Sequence, residues 1–175
     1  MSRNLASTDL KRLHRTWRRQ ASGRLALYLD SVATPTNVGS ILRSAAAMAV
    51  DAVYLGGQSA GPEHGGTQKT ALGSDRFVDV RRVEDGLAAP RADGYRIVGI
   101  ELTDDARPIH EADLTGAVCL VLGHEDRGLS KAVLDDLDAV AFIPQLGRIG
   151  SLNVATAAAI ALYEARRQGW PSSPP

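Results

Sequence analysis

The sequence lacks the residues from which disulfide frameworks and metal sites are usually built. Cys119 is the single cysteine and stands inside an apolar run, so neither an internal disulfide nor a cysteine-based metal site can form. The four histidines are scattered, with no pair at metal-ligand spacing. We therefore predict a protein that binds no metal and works in a reducing compartment.

Long apolar runs are also missing. No stretch reaches the roughly 18 consecutive apolar residues of a membrane-spanning helix, and the N-terminus has no apolar signal core. These features predict a cytoplasmic location and no membrane partner. The 175 residues, 44% hydrophobic and 23% charged, are typical of a globular protein with one main core.

The sequence has no excess charge of either sign, because 20 basic residues balance 20 acidic residues. This balance argues against a broad electrostatic binder of nucleic acid. The charges are unevenly distributed, however. Residues 1–24 contain seven basic residues and one acidic residue, a net charge of +6, so the rest of the chain carries −6. A local cationic segment of this kind can still bind an RNA backbone.

Residues 1–23 are predicted to form a basic helical arm. Leu10, Leu13 and Trp17 follow helical spacing and form an apolar stripe on it. One interpretation is a solvated helix that the stripe docks onto the protein. The other, favoured by the charge offset, is an arm that contacts phosphate groups. The candidate RNA-binding residues are Lys11, Arg12, Arg15, Arg18 and Arg19.

From residue 24 onward, apolar strands alternate with helical patterns. Runs such as 117–122 are almost wholly apolar, as in parallel strands that are buried on both faces. We predict an α/β fold with a mostly parallel sheet and helices on both faces. This domain is expected to span 24–169, followed by a tail at 170–175. Strands are predicted at 24–29, 52–55, 77–80, 95–101, 117–122 and 140–143, and helices at 37–50, 67–72, 129–137 and 151–168.

Common nucleotide-binding and hydrolase fingerprints are absent. There is no GxxxxGKS or GxxxxGKT sequence, and no GxGxxG at a strand-to-helix turn. There is also no GxSxG elbow. A P-loop NTPase, a dinucleotide-dependent dehydrogenase and an α/β-hydrolase are therefore disfavoured.

Three polar segments each follow an apolar strand, at the edge where open α/β sheets bind ligands. The first is PTNVGSILRS at 35–44. Asn37 is predicted to cap its helix, and Arg43, six residues later, is expected within reach of the same cleft. Taken alone, the segment is better explained as a helix cap followed by a surface arginine.

The second segment is LGHEDRGLS at 122–130. A buried strand ends at Gly123, where the backbone can approach a ligand closely, and Gly128 is predicted to open the next helix. Between them, Glu125 can accept a hydrogen bond from a hydroxyl, an amine or a guanidinium. An ordinary loop would explain these features if the segment stood alone.

The third segment is IPQLGRIGSLNVATA at 143–157. It is a glycine-punctuated loop that enters a long helix, with Ser151 as the predicted N-cap. The alanines at the start of this helix permit close approach of another backbone. Tight helix packing without any ligand is the simpler explanation of this segment on its own.

In this order, the three segments resemble the motifs of the SpoU/TrmH family of the SPOUT superfamily. The patterns are NxGxxxR, LGxExxGLS and IPxxGxxxSLNVAxAxAIxLYE, and the resemblance covers about residues 24–168. Ala155 departs from the family pattern, in which a serine often follows SLNV. The stretch GIELTDDARPIHEADL at 99–114 is also similar to the branch that acts on a guanosine of the tRNA D-loop.

The resemblance implies an S-adenosylmethionine-dependent RNA ribose 2′-O-methyltransferase with a C-terminal trefoil knot. It also implies a homodimer formed through the knot region, in which the first motif faces the cofactor of the other protomer. The catalytic residues that it implies are Asn37, Arg43, Glu125, Ser151 and Asn153. The cofactor-binding residues that it implies are Leu122, Gly123, Gly128, Ile143 and Leu152.

The resemblance leaves the RNA target open. We favour tRNA over rRNA because many rRNA members carry a separate N-terminal RNA-binding domain, which a chain of 175 residues is too short to include, although tRNA D-loop members often have a longer C-terminal helical extension than this chain. A catalytically silent RNA-binding dimer is disfavoured, since all five implied catalytic residues are present. Arg43 is interpreted as an electrostatic clamp rather than a base, because a guanidinium stays protonated at neutral pH.

Overall fold

The computed structural model describes residues 4–170, in which seven strands and six α-helices form. A short 3-10 helix, Ser74–Phe77, lies between the third helix and the third strand. The helices are α1 (Ser7–Gln20), α2 (Pro35–Ala47), α3 (Gly65–Ala71), α4 (Ala88–Ala92), α5 (Lys131–Leu134) and α6 (Val154–Gln168). The strands are β1 (Arg24–Asp30), β2 (Ala52–Gly56), β3 (Asp79–Arg82), β4 (Arg96–Ile100), β5 (Arg107–Pro108), β6 (Ala117–Leu122) and β7 (Ala139–Phe142).

The seven strands form one sheet in the order β3-β2-β1-β6-β4-β7-β5, and every neighbouring pair is parallel. The central pair is β1 and β6, in register from Arg24 with Ala117 to Leu29 with Leu122. The predicted α/β class with a mostly parallel sheet is therefore confirmed, and the bounds of β6 are the predicted ones.

Alternate residues of β1 face opposite sides of the sheet and enter two separate cores. Leu25, Leu27 and Leu29 pack with residues of α2 and α6. Ala26 and Tyr28 pack on the other side with residues of α5 and the partly buried edge of α4. Helices thus cover both faces, as predicted. This arrangement explains why the central strands read as continuous apolar runs.

The basic arm is helical, with bounds Ser7–Gln20 and no buried residue. Its C-terminal end is attached through Trp17, whose ring centroid lies 5.2 Å from that of Trp170. The apolar stripe does not dock the rest of the arm within one chain, because Leu10 and Leu13 are 42% and 39% exposed. Residues 1–3 of the predicted arm and residues 171–175 of the predicted tail lie outside the described residues.

Helix lengths rule out a membrane span in the part of the chain that is described. Between residues 4 and 170, every helix is too short or too polar to cross a bilayer.

Candidate active site

A cleft of about 790 Å³ opens where β4, β6 and β7 end. Ile100, Leu122 and Phe142, at the ends of these strands, lie in its wall. The carboxyl ends of neighbouring parallel strands are the expected place for a ligand in an open α/β sheet. The structure brings all five predicted cofactor-binding residues to this one cleft: Leu122, Gly123, Gly128, Ile143 and Leu152.

The loop after β6 folds back on itself at two glycines. His124 and Gly128 exchange backbone hydrogen bonds of 3.0 and 2.9 Å. A Cβ atom on Gly123 would lie 2.2 Å from the carbonyl carbon of Gly128, so only glycine fits there. The prediction that Gly128 opens the next helix is wrong. Gly128 instead turns the loop, with a φ of +66°. The helix begins three residues later because Ser130 provides the cap, its Oγ accepting a bond from the N–H of Val133.

Glu101 supports this loop from the end of β4, and the sequence analysis missed it as a site residue. Its Oε2 accepts a 3.1 Å hydrogen bond from the N–H of Leu129. A Cβ atom on Gly128 would lie 2.3 Å from the same oxygen, so the carboxylate lies directly against the turn. The sequence feature that could have identified Glu101 is its position, a carboxylate immediately after the apolar run of β4.

Glu125 is held at the edge of the cleft by donors from Asn37 of the first segment and from the two residues that precede α2. Its Oε1 accepts hydrogen bonds from Nδ2 of Asn37 at 2.8 Å and from the N–H of Thr34 at 3.0 Å. Its Oε2 accepts one from the N–H of Ala33 at 3.3 Å. Burial opposes ionisation of Glu125, but these hydrogen bonds outweigh it and lower the pKa to about 2. Glu125 is therefore a carboxylate at neutral pH with both oxygens engaged.

Asn153 connects the third segment to the same group. Its Nδ2 donates a 3.0 Å hydrogen bond to Oδ1 of Asn37. Its Oδ1 accepts bonds from the N–H groups of Ala155 and Thr156, so Asn153 is the N-cap of α6. Residues from all three segments thus form one hydrogen-bonded chain, Glu125–Asn37–Asn153.

Two predicted helix caps are wrong. Ser151 precedes the cap of α6 and is an exposed residue in the wall of the cleft. Asn37 lies inside the first turn of α2, whose N-cap position is Thr34. Both helix starts were assigned to the wrong polar residue. The side chain of Asn37 is hydrogen-bonded to Glu125 and Asn153, which are far away in sequence, and local sequence patterns do not reveal such contacts.

Arg43 does not reach the cleft within one chain, contrary to expectation. It is exposed on α2 and lies beside Ser40, Ser44 and Lys69 in a separate shallow depression. Six residues correspond to about 9 Å along a helix and about 240° of rotation. Arg43 therefore projects from a different side of α2 than Asn37, which faces Glu125.

The cleft has the chemical character of a small-molecule site. Its volume lies within the range of roughly 300–1,000 Å³ found for such sites. Its wall combines apolar side chains with two glycines, Gly123 and Gly128, where no side chain separates the backbone from the cleft. Among residues 4–170, His, Cys, Asp and Glu side chains form no group of three or more that could hold a metal ion. An apolar slot in which glycines let a ligand approach the backbone suits a flat heterocycle that carries polar edges.

Comparisons with known proteins agree with this arrangement. A 23S rRNA (guanosine-2′-O-)-methyltransferase of Acinetobacter baylyi is 37% identical over 148 residues, which are 82% of this chain and 60% of that protein. A tRNA (guanosine(18)-2′-O)-methyltransferase of Escherichia coli is 34% identical over 147 residues, 82% of this chain and 63% of that protein. The chain thus spans less than two thirds of the length of either relative.

A solved structure shares the fold. An rRNA methyltransferase from Sinorhizobium meliloti, crystallised with AdoMet bound, superposes with a TM-score of 0.79 and 32% sequence identity, covering 85% of this chain and 58% of that one. The protein-family model described as the SpoU rRNA Methylase family matches residues 24–163, which contain all three segments. The chain therefore belongs to the SpoU rRNA Methylase family.

Proposed function

We propose that this protein transfers a methyl group from S-adenosylmethionine to a ribose 2′-hydroxyl of RNA. One observation carries the proposal: residues from two of the segments line one cleft, and Glu125, Asn37 and Asn153 join all three segments at its edge. Relatives named as 2′-O-methyltransferases of guanosine in 23S rRNA and in tRNA support the same reaction.

The residues of the cleft fit S-adenosylmethionine. Leu122, Ile143 and Leu152 offer apolar walls for an adenine ring, and at Gly123 and Gly128 no side chain keeps the polar edges of the ring away from the backbone. When bound, S-adenosylmethionine supplies a methyl group that its sulfonium already activates. The protein then has to align the ribose oxygen and stabilise the negative charge that develops there.

The polar residues divide these tasks. Both oxygens of Glu125 are occupied and its pKa is low, so it positions Asn37 and is a poor proton acceptor. Ser151, exposed in the wall of the cleft, and Asn153 supply polar atoms near the reacting groups. Arg43 acts as a clamp on the developing alkoxide or the adjacent phosphate, while the hydroxyl proton leaves to phosphate, water or a neighbouring group. Near-wild-type methylation by Arg43→Lys with an unchanged pH–rate profile would remove support for a planar clamp.

A homodimer would complete the site. Arg43 lines a depression that shares no residue with the cleft, and this separation supports a composite arrangement in which Arg43 of one protomer faces the cofactor of the other. The loop 144–150 carries Leu146 and Ile149, 101% and 67% exposed, which a second protomer would cover. Family membership supports a C-terminal trefoil knot that includes this loop, and the knot region is the proposed interface.

The basic arm is the proposed RNA-binding element outside the catalytic domain at 24–169. Its cationic residues lie on a helix without any buried residue, so they are free to follow a phosphate backbone. These residues are Lys11, Arg12, Arg15, Arg18 and Arg19.

We propose tRNA as the target, with rRNA as the alternative. The stretch 99–114, similar to the tRNA D-loop branch, favours tRNA, whereas relatives of both kinds have comparable identity, 37% and 34%. Incubating the protein with methyl-labelled S-adenosylmethionine and separate pools of tRNA and rRNA distinguishes the two targets, and mapping gives the nucleotide. A silent RNA-binding dimer would transfer no label to either pool.

A further inference from the structure

A second surface, separate from the cleft, combines cations with exposed apolar side chains. It is built by α2, α3 and the 3-10 helix Ser74–Phe77, which contact one another. We define this α2–α3 face by the residues Arg43, Lys69, Leu72, Arg76 and Phe77.

The two helices of the face are held in direct contact at Gly39. A Cβ atom there would lie 2.0 Å from Oγ1 of Thr70 and 2.3 Å from the carbonyl oxygen of Thr67. Oγ1 of Thr70 also donates a 3.2 Å hydrogen bond to the carbonyl oxygen of Thr36. This close packing places Arg43 and Lys69 around one shallow depression.

The depression continues towards Phe77 through a fixed turn. Leu72, which lines the depression, and Gly73 both adopt positive φ, +51° and +75°, and end α3. Nε of Arg76 donates a 2.9 Å hydrogen bond to the carbonyl oxygen of Gly73. The same guanidinium lies 5.5 Å from the ring centroid of Phe77. The face is therefore a contiguous surface that runs from Arg43 to Phe77.

The exposure and charge of this face favour a nucleic-acid partner. Phe77 is 74% exposed and Leu72 is 64% exposed, so the face presents an aromatic ring and an aliphatic side chain to solvent. The helices α2 and α3 carry Arg43 and Lys69 and no acidic residue, and the half-buried Asp75 is the acidic residue of the 3-10 helix. Cations interleaved with exposed aromatic rings are typical of surfaces that bind single-stranded nucleic acid.

We propose that the α2–α3 face binds the single-stranded RNA segment next to the target nucleotide. Phe77 stacks on a base of that segment, and Lys69 and Arg76 contact its phosphates. This inference rests on the proposed function, in which Arg43 at one end of the face contacts the target ribose or its phosphate. The face would then guide the strand into the active site without reading its sequence, since every base has a face that can stack.

The test measures the affinity for a single-stranded RNA oligonucleotide by fluorescence anisotropy at several salt concentrations. Phe77→Ala is expected to weaken binding roughly tenfold, with an unchanged salt slope, and Phe77→Trp is expected to retain it. Lys69→Gln is expected to reduce the slope of log K against log salt by about 0.7, because one phosphate contact is lost. Lys131→Gln, at a lysine on α5 whose side chain is 85% exposed, is the matched control and should bind as wild type.

Cofactor binding and melting temperature should be unchanged in Phe77→Ala and Lys69→Gln, since both side chains are exposed. Wild-type affinity and salt slope in both variants would overturn the proposal, even if the wild-type protein methylates RNA. Conversion of a wild-type dimer to a monomer by Phe77→Ala would also overturn it, because the face would then be a subunit contact. Failure of the proposed function is recognised separately, by a wild-type protein that binds RNA and cofactor but transfers no methyl group.

Discussion

Nδ2 of Asn37 donates a 2.8 Å hydrogen bond to Oε1 of Glu125, although the two residues are 88 positions apart in sequence. Oδ1 of Asn37 accepts a bond from Asn153 at the same time. The orientation of the Asn37 amide is thus fixed by an acceptor from one loop and a donor from the start of α6. Removing any member should disturb the other two, because the three side chains act as one unit.

Glu125→Gln is expected to lower the free energy of unfolding by about 1–3 kcal/mol at pH 7, because the amide cannot accept all the bonds that the carboxylate accepts. The folded-state pKa of Glu125, about 2, lies below the ordinary value of 4.5. Its stabilisation is therefore present above pH 4.5 and is lost as the pH falls towards 2. Urea unfolding of both proteins across this pH range should show their stability difference narrowing with acidity.

The matched control for this series is Glu84→Gln, at an exposed glutamate in the loop after the edge strand β3. Its stability should follow that of wild type over the same range. A stability difference for Glu125→Gln that stays constant from pH 7 to pH 2.5 would contradict the assigned ionisation.

Gly123→Ala is expected to abolish cofactor binding and to destabilise the fold by about 1–3 kcal/mol, because the added methyl overlaps the backbone of Gly128. Gly65→Ala is the control, since a Cβ atom there has no neighbour within 4 Å. Isothermal titration with S-adenosylmethionine and thermal unfolding measure the two effects. Wild-type cofactor affinity in Gly123→Ala would show that the loop can open without loss.

The sequence predicted the sheet better than the helix starts, for a physical reason. The short apolar run 117–122 fits a buried parallel strand, and its predicted bounds are those of β6. The start of α6 offered two polar residues, Ser151 and Asn153, and the choice depended on Asn37, a contact distant in sequence. The length of α5 was overestimated, because Leu129 and Leu137 pack into the core although they lie outside the helix.

The parts of the site that depend on glycines and sequence motifs could be predicted. The parts that depend on which side of a helix faces the cleft, or on contacts between distant segments, could not. The five residues predicted to bind the cofactor come from two segments, and all five line one cleft. Arg43 was assigned to the same cleft because sequence spacing gives its distance along α2 but not the neighbours on its side of the helix. Glu101 was missed because its role lies in supporting a loop that is adjacent only in space.

Replacing the five basic arm residues by glutamine is expected to weaken RNA binding without affecting cofactor binding. The salt slope should fall by about 0.7–0.9 for each side chain that contacts a phosphate. Deleting residues 1–20 should have the same effect on the slope, while the glutamine variant keeps Trp17 against Trp170. Equal affinity and slope for wild type, glutamine variant and deletion would exclude the arm from RNA binding.

A composite active site predicts complementation between two inactive variants. Arg43→Ala removes the clamp, and Leu152→Asp places a carboxylate in the cofactor cleft. Co-refolding them in equal amounts makes half of the dimers mixed, each with one intact site, so roughly a quarter of wild-type activity should return. Light scattering should show a dimer for all samples. A monomer at micromolar concentration, or no recovery in proven mixed dimers, would contradict the arrangement.

Transfer of a labelled methyl group to RNA tests the central claim most directly. The wild-type protein, total tRNA or rRNA and methyl-labelled S-adenosylmethionine are incubated, and the RNA is then hydrolysed with alkali. Because alkaline cleavage requires a free 2′-hydroxyl, a ribose 2′-O-methyl group leaves the label in an alkali-resistant dinucleotide. We expect that product, and we expect Arg43→Ala to lose it while still binding the cofactor. Label recovered in mononucleotides, as a methylated base would give, or no transfer by a protein that binds the cofactor, would contradict the account.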